Sequence, residues 1–335
     1  MSTHYISLKL GSTTTCIYKS GNGIVLKEPS LIAMPSNLKI KDIKALGHDA
    51  KKLIGRTSEN ITVFSPISNG VIQYFDLAVL MLKGFLKKVF PTKSIGQNIK
   101  AILCVPLGLT AEEKKQFEIV CFKAGIAEVF LVPDIICYAI GAGIDIQNES
   151  AKFLVNIGGD STNIAIVSNS TIIKGFNITI GGSLMNAAIE KYIEEKYNLS
   201  ISIEQAEHIK LEICSLIENY NSTVEITGFN RATQIYEQLI ISSKELYPIV
   251  KLYYSKIAKT INSIIQSCEP EIISDIMADK LYFFGNASNI IGLDIFMSQE
   301  TLFKICDSNI EKSNILGAGE LINQPQLLKK ILKNN

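Results

Sequence analysis

Two stretches decide how this chain folds: residues 7–26, SLKLGSTTTCIYKSGNGIVL, and residues 153–175, FLVNIGGDSTNIAIVSNSTIIKG. Each runs as an apolar strand, breaks at a glycine-containing turn and resumes as a second strand, the pattern of neighbouring strands joined by tight connections. In the first stretch strands are expected over 5–10, 15–19 and, after Gly21-Asn22-Gly23, 24–34. In the second they are expected over 153–156, 163–168 and 171–180, with Gly158-Gly159-Asp160-Ser161 as the turn. The two stretches match in pattern rather than in letters and lie about half a chain apart, which indicates an internal duplication.

Helical spacing follows each set of strands. Leu77, Leu80, Met81, Phe85 and Val89 predict a helix over 76–89, and a second is expected over 112–124. In the second half, helices are predicted over 184–197, 203–218 and 244–266. The last has Pro248 near its first turn and an apolar stripe of Ile249, Leu252, Tyr253, Ile257, Ile261 and Ile264. A Leu/Ile/Lys-rich helix over 324–332 closes the chain. These stripes read as core rather than as cofactor contacts.

Composition narrows the function classes. A chain of 335 residues exceeds an average domain of roughly 150, so two core-bearing halves are expected. Lys and Arg number 33 against 32 Asp and Glu, which argues against a nucleic-acid binder or an acidic tail. The seven cysteines are an odd number, scattered and without a C-x-x-C pair, and read as reduced cytosolic thiols. None of the three histidines has ligand spacing to a Cys or Asp cluster, so no transition-metal site is expected. The first residues lack a leader pattern, and the most apolar stretch, 129–146, is interrupted by Pro133 and Asp134, so no membrane span is expected.

The runs GNGIVLKEPSLIAM (21–34), ALGHDAKKLIGRTSENI (45–61), PISNGVIQYFDLAVLML (66–82), CVPLGLTAEEKK (104–115) and AIGAGIDI (139–146) closely resemble the MreB family of bacterial actins. So do TIGGSLMNAAI (179–189), AEHIKLEI (206–213) and CEPEIISDI (268–276). The resemblance is collinear over nearly the whole chain. It implies an α/β, actin-like two-lobed fold: duplicated RNase H-like domains, each with a smaller subdomain, and a nucleotide cleft between the lobes. The first lobe is expected over 1–145 with the C-terminal helix 315–335, its small subdomain about 33–66. The second is expected over 146–314, its small subdomain about 183–245.

The same resemblance implies ATP or ADP in the cleft. Phosphate turns work by aiming consecutive backbone N–H groups into a concavity where glycine permits close approach. Gly11, Ser12, Thr13 and Thr14 supply one such turn, and Gly158, Gly159, Asp160, Ser161 and Thr162 the other. Gly181 and Gly182 would lead into a helix facing the phosphates, with Glu207, Lys210 and Glu212 near ribose and base. The alternative for Glu207 and Lys210 is an ordinary i,i+3 ion pair. Gly285, Asn286 and Ala287 stand where the family has a glycine-rich adenine turn, and Phe284 before them can equally be core.

The chain departs from the family at the metal. Lys9 and Asn156 replace the two aspartates that hold hydrated Mg2+, while Asp160 offers one carboxylate that could face the ion through water. Two readings of Lys9 stay open: its ammonium partly substitutes for magnesium, or it points to solvent or pairs with Asp160. Glu113 aligns with the glutamate that orients the attacking water, and it also completes the T-x-x-E capping box begun by Thr110. Hydrolysis is expected to be slow.

The resemblance further implies self-assembly into filaments serving cell shape, a cytoplasmic location, and attachment to the inner face of the membrane. Phe90 and Ile95, with Lys87, Lys88 and Lys100 nearby, form the candidate membrane loop; a helix end and linker is the alternative. A non-hydrolysing partner of another MreB is the competing function, ahead of a plasmid-segregating actin. A sugar kinase or chaperone ATPase is disfavoured because no substrate insertion or peptide-binding domain is present.

Overall fold

The computed structural model describes residues 3–36, 43–55, 61–91, 98–307 and 313–334. By its internal contacts the chain forms two units, one of Met1–Glu149, Ala165–Asn177 and Lys312–Asn335, the other of Ser150–Ile164 and Ile178–Glu311.

The first unit is built on strands β1 (Thr3–Leu10), β2 (Thr14–Lys19) and β3 (Gly23–Pro29). They form an antiparallel meander, in which Lys9 faces Cys16 across the β1–β2 pair. On the other side of β1 lie two parallel strands, Asn98–Val105 and then Glu128–Pro133. Parallel strands need crossovers, and the Ala111–Ala124 helix supplies the one between these two. Ile6, Leu8, Phe85, Leu103, Phe117 and Val120 are core residues with no more than 1% exposure. The helix Ser313–Ile322 closes on the helix Asp134–Gly141 so tightly that a Cβ on Gly317 would lie 2.0 Å from the Cys137 carbonyl oxygen.

The strand expected over 24–34 is broken. β3 stops at Pro29, and Ile32–Pro35 pairs instead with Ala45–Leu46 and Ile61–Phe64 in a separate three-stranded sheet. Proline cannot donate to a ladder. Ser30 turns away as well, sending its N–H to the Thr13 carbonyl and its hydroxyl to the Gly11 carbonyl.

In the second sheet the order is Thr171–Ile178, Thr162–Ser168, Lys152–Ile157, Leu281–Phe284, Ile305–Asp307, the same as in the first sheet. The last three strands run parallel, and Asn156 is level with Phe284. Leu199–Ser200, Thr223–Asn230 and Ile235–Ser242 make a smaller antiparallel sheet.

Three helical expectations shift. The helix expected over 203–218 ends at Ile213, because Cys214 is extended and Leu216 donates to the Ile291 carbonyl beside a Ser215–Ile291 bridge. Pro248 is the sixth residue of Ser243–Gln266, beyond the first turn. The buried stripe of that helix is Leu246, Val250, Tyr254, Ile257, Ala258, Ile261, Ile264 and Ile265, so its N-terminal half is rotated from the expected one and Leu252 is half exposed. Among the described residues no helix is long and apolar enough to cross a membrane.

The proposed membrane loop is also corrected. Phe90 is 7% exposed, packed in the core beside the His4 ring with the Lys19 ammonium over its face. Lys88 pairs with Glu28 and Lys100 with Glu128. A phenylalanine already buried in protein has no apolar surface left for lipid; Ile95 lies outside the described residues.

Candidate functional site

Both glycine turns close with the same backbone hydrogen bond. Gly11 N–H donates to the Thr14 carbonyl at 3.1 Å, and Gly158 N–H to the Ser161 carbonyl at 2.9 Å. In each case a Cβ on the glycine would come within about 3 Å of that carbonyl oxygen, so only glycine closes the turn unstrained. The first turn is braced from outside: Ser65 donates to the Ser12 carbonyl, and Gly70 N–H to the Ser12 hydroxyl.

At the end of β1, beside that first turn, sits a charged cluster. Lys9 is half-buried, and its Nζ lies 3.3 Å from the Tyr138 hydroxyl and 5.4 Å from the centre of that ring. Asp134, 7% exposed, opens the helix that follows the parallel strand Glu128–Pro133. The C-terminal edge of parallel strands is where α/β sheets place ligands, and strand pairing delivers both residues there. Burial pulls the Lys9 pKa down, but Tyr138 and Asp134 outweigh it and hold the ammonium above the ordinary lysine value. Burial pushes the Asp134 carboxyl up to about 6, against the opposing pull of Lys9 and the Ile135 N–H. Burial also raises the Tyr138 pKa. The solvent-directed reading of Lys9 is therefore wrong.

In the second unit, four segments of the sequence meet. A Cβ on Gly182 would lie 3.0 Å from Lys210 Nζ, 3.7 Å from Ala287 Cβ and 3.8 Å from the Gly158 carbonyl oxygen, which places all of them around one point. Gly182 and Ser183 donate their N–H groups to the Gly158 and Gly159 carbonyls, and Lys210 donates to the Gly182 carbonyl at 3.2 Å. Asp160 accepts from the Ser183 hydroxyl at 2.9 Å, and Thr162 donates to the Ile180 carbonyl. Burial lowers the Lys210 pKa, with Glu207 opposing.

Gly285 has φ +90°, and a Cβ there would meet the Ile157 carbonyl oxygen at 2.3 Å and the Asn156 side-chain oxygen at 2.6 Å. The glycine is thus required, although its family companions are replaced. Asn286 begins a short 3-10 turn, and the Ala287 carbonyl accepts from the buried Tyr254 hydroxyl. Phe284, 1% exposed, is core.

Glu113 folds back to accept from the Thr110 N–H at 2.7 Å and the Thr110 hydroxyl at 2.9 Å, so the capping box is formed. Glu207 and Glu212 lie exposed on their helix, and Glu212 sits 3.1 Å from His208 Nδ1. Asp134 and Tyr138 were missed in sequence. Their sequence signal is a carboxylate set in an otherwise apolar run at a strand-to-helix junction.

At neither turn do the residues present fit magnesium. That ion prefers near-octahedral oxygen ligation with one or two carboxylates. Lys9 is a cation, Asn156 is a neutral amide only 3% exposed, and Asp160 is engaged by Ser183. Among the described residues no cluster of three His, Cys, Asp or Glu is arranged to hold a metal.

The MreB/Mbl protein family matches residues 3–330. This chain belongs to the MreB/Mbl family. It is 31% identical over 299 residues to the cell shape-determining protein MreB of Escherichia coli (strain K12), covering 88% of this chain and 86% of that one. To the cell shape-determining protein Mbl of Bacillus subtilis (strain 168) it is 29% identical over 296 residues, 88% of each. Among solved structures, MreB5 of Spiroplasma citri bound to ADP superposes with a TM-score of 0.90 at 27% identity, covering 100% of this chain and 99% of that one. A MamK double helical filament matches at TM-score 0.80 and 15% identity over 96% of this chain and 99% of that one, a likeness of fold. The fold of this MreB/Mbl-family chain is the actin-like one that the family resemblance implies.

Proposed function

We propose that this chain is an actin-like cytoskeletal subunit that binds adenine nucleotide and assembles into filaments that organise cell shape. The observation that carries the reading is the repeated turn, Gly11 to Thr14 and Gly158 to Ser161, each closed by the same N–H to carbonyl bond, in a chain matched by the MreB/Mbl family from end to end. Relatives named cell shape-determining proteins, and MreB5 structures bound to ADP and to AMPPNP, support it.

Hydrolysis is slow in this reading. With Glu113 engaged by its cap, Asp134 is the carboxylate to position a water: it is buried, raised toward neutrality and set at a strand end, the features that mark functional carboxylates. Co-assembly with another family member, and peripheral membrane attachment through residues other than Phe90, are secondary proposals for the same subunit. Sedimentation and electron microscopy with ADP, with AMPPNP and without nucleotide test the main reading. Filaments with bound nucleotide are expected; a monomer that binds neither nucleotide overturns it.

A further inference from the structure

Charges around the first glycine turn are balanced within the protein. A Cβ on Gly11 would lie 3.5 Å from Lys9 Cε, so the Lys9 side chain runs directly beside the turn. Its ammonium has Asp134 as counter-charge and Tyr138 as hydrogen-bond partner, and the neighbouring strands place Cys16 and Cys104 on either side of it. A site built for a divalent ion instead holds an excess of carboxylates that only the ion relieves. Here one cation and one carboxylate already offset each other. In the second unit, Asn156 presents an amide to Gly285, and Asp160 is held by Ser183.

We propose that the Lys9 ammonium takes the role of the divalent cation beside the first turn, so that adenine nucleotide binds this chain without magnesium. The inference rests on the nucleotide reading above. A lysine is a compact point charge with three donors, suited to a phosphate oxygen. The hydrogen bond to the Tyr138 hydroxyl orients the ammonium before any ligand arrives, with the charge of Asp134 favouring the same place, so less side-chain freedom remains to be lost on binding. Lysine carries one charge where magnesium carries two. It therefore compensates a diphosphate better than it compensates the charge that accumulates during transfer of a terminal phosphoryl group, which accords with slow hydrolysis.

The test is ADP affinity by calorimetry in excess EDTA and in excess magnesium. The expected result is tight binding in EDTA that is unchanged or weakened by magnesium, because magnesium then competes by sequestering ADP in solution. Lys9→Ala is expected to weaken binding in EDTA by about 10- to 100-fold, the range of one charge-assisted hydrogen bond. Lys9→Arg, which keeps the charge, is expected to retain binding in EDTA within several-fold, with denaturation curves establishing that both variants fold. Binding that falls by tenfold or more in EDTA, or an affinity unaffected by Lys9→Ala, overturns the inference while leaving nucleotide binding intact. No binding of ADP under either condition overturns the nucleotide reading as well.

Discussion

Gly181→Ala isolates the contact on which the second glycine turn depends. Gly181 has φ −154° and ψ −173°, extended backbone that alanine adopts without strain, so any cost comes from the added methyl alone. That methyl would stand 2.4 Å from the Gly159 carbonyl oxygen and 2.8 Å from the Asp160 carbonyl carbon. Ordinary contact begins at 3.4 Å, so the turn or the helix start must retreat by about 1 Å. Retreat stretches the bonds from Gly182 N–H to Gly158, now 3.0 Å, and from Ser183 N–H to Gly159, now 2.7 Å. Overpacking at about 1–3 kcal/mol and two hydrogen bonds at about 0.5–1.5 kcal/mol each give an expected destabilisation of about 2–6 kcal/mol. Urea denaturation reads this as a midpoint lowered by about 1 M or more, given slopes of roughly 1–3 kcal/mol per M. ADP affinity should fall with it. Gly21→Ala is the control, since Gly21 has φ +78° and no atom within 4 Å of an added Cβ. It should cost only the left-handed strain of about 1–2 kcal/mol and leave affinity unchanged. A Gly181→Ala protein within about 0.5 kcal/mol of the parent, with undiminished ADP binding, would refute the claim that this contact shapes the turn.

Further predictions concern Glu113, Asp134 and Phe90. Glu113→Ala should destabilise by about 0.5–2 kcal/mol through loss of the capping box and leave single-turnover phosphate release nearly unchanged, whereas Asp134→Asn should reduce release; the opposite ranking would restore Glu113 to the reaction. Asp134 has a folded pKa of about 6 against an ordinary value near 3.8. Its contribution to stability is therefore complete below about pH 4 and lost as pH rises through 6, by up to about 3 kcal/mol. Denaturation midpoints across this range should show that loss in the parent and not in Asp134→Asn; parallel profiles would contradict it. Phe90→Ala should destabilise by about 3–5 kcal/mol, as for other buried aromatics, and a change below about 1 kcal/mol in chemical denaturation would place Phe90 outside the core.

Much of the fold was legible in the residue order because its signals are local. β1 and β2 followed from apolar runs, the turns from Gly11 and Gly158, and the start of the Ala111–Ala124 helix from Thr110 and Glu113. Periodicity was less informative where the chain is apolar on several faces. In Ser243–Gln266 the stripes through Ile249 and through Leu246 are both hydrophobic, and only packing selects between them. The strand expected over 24–34 failed for a different reason: Ser30 exchanges ladder bonds for bonds to the Gly11 and Thr13 carbonyls, partners fixed by the first turn.

By itself, the sequence determined the duplication, the two glycine turns and the absence of aspartate at positions 9 and 156, since each is a matter of residue type and spacing. Only the tertiary structure decided what those residues meet. Lys9 reaches Tyr138 and lies in the field of Asp134 because β1 pairs in parallel with Asn98–Val105, which pairs in turn with Glu128–Pro133 and so brings residue 134 to the same sheet edge as residue 9. Phe90 is buried and Gly181 closely approached by Gly159 and Asp160 for the same reason. Burial and close approach depend on chain segments that come together only in three dimensions, and no local pattern of apolar or glycine residues specifies which segments those will be.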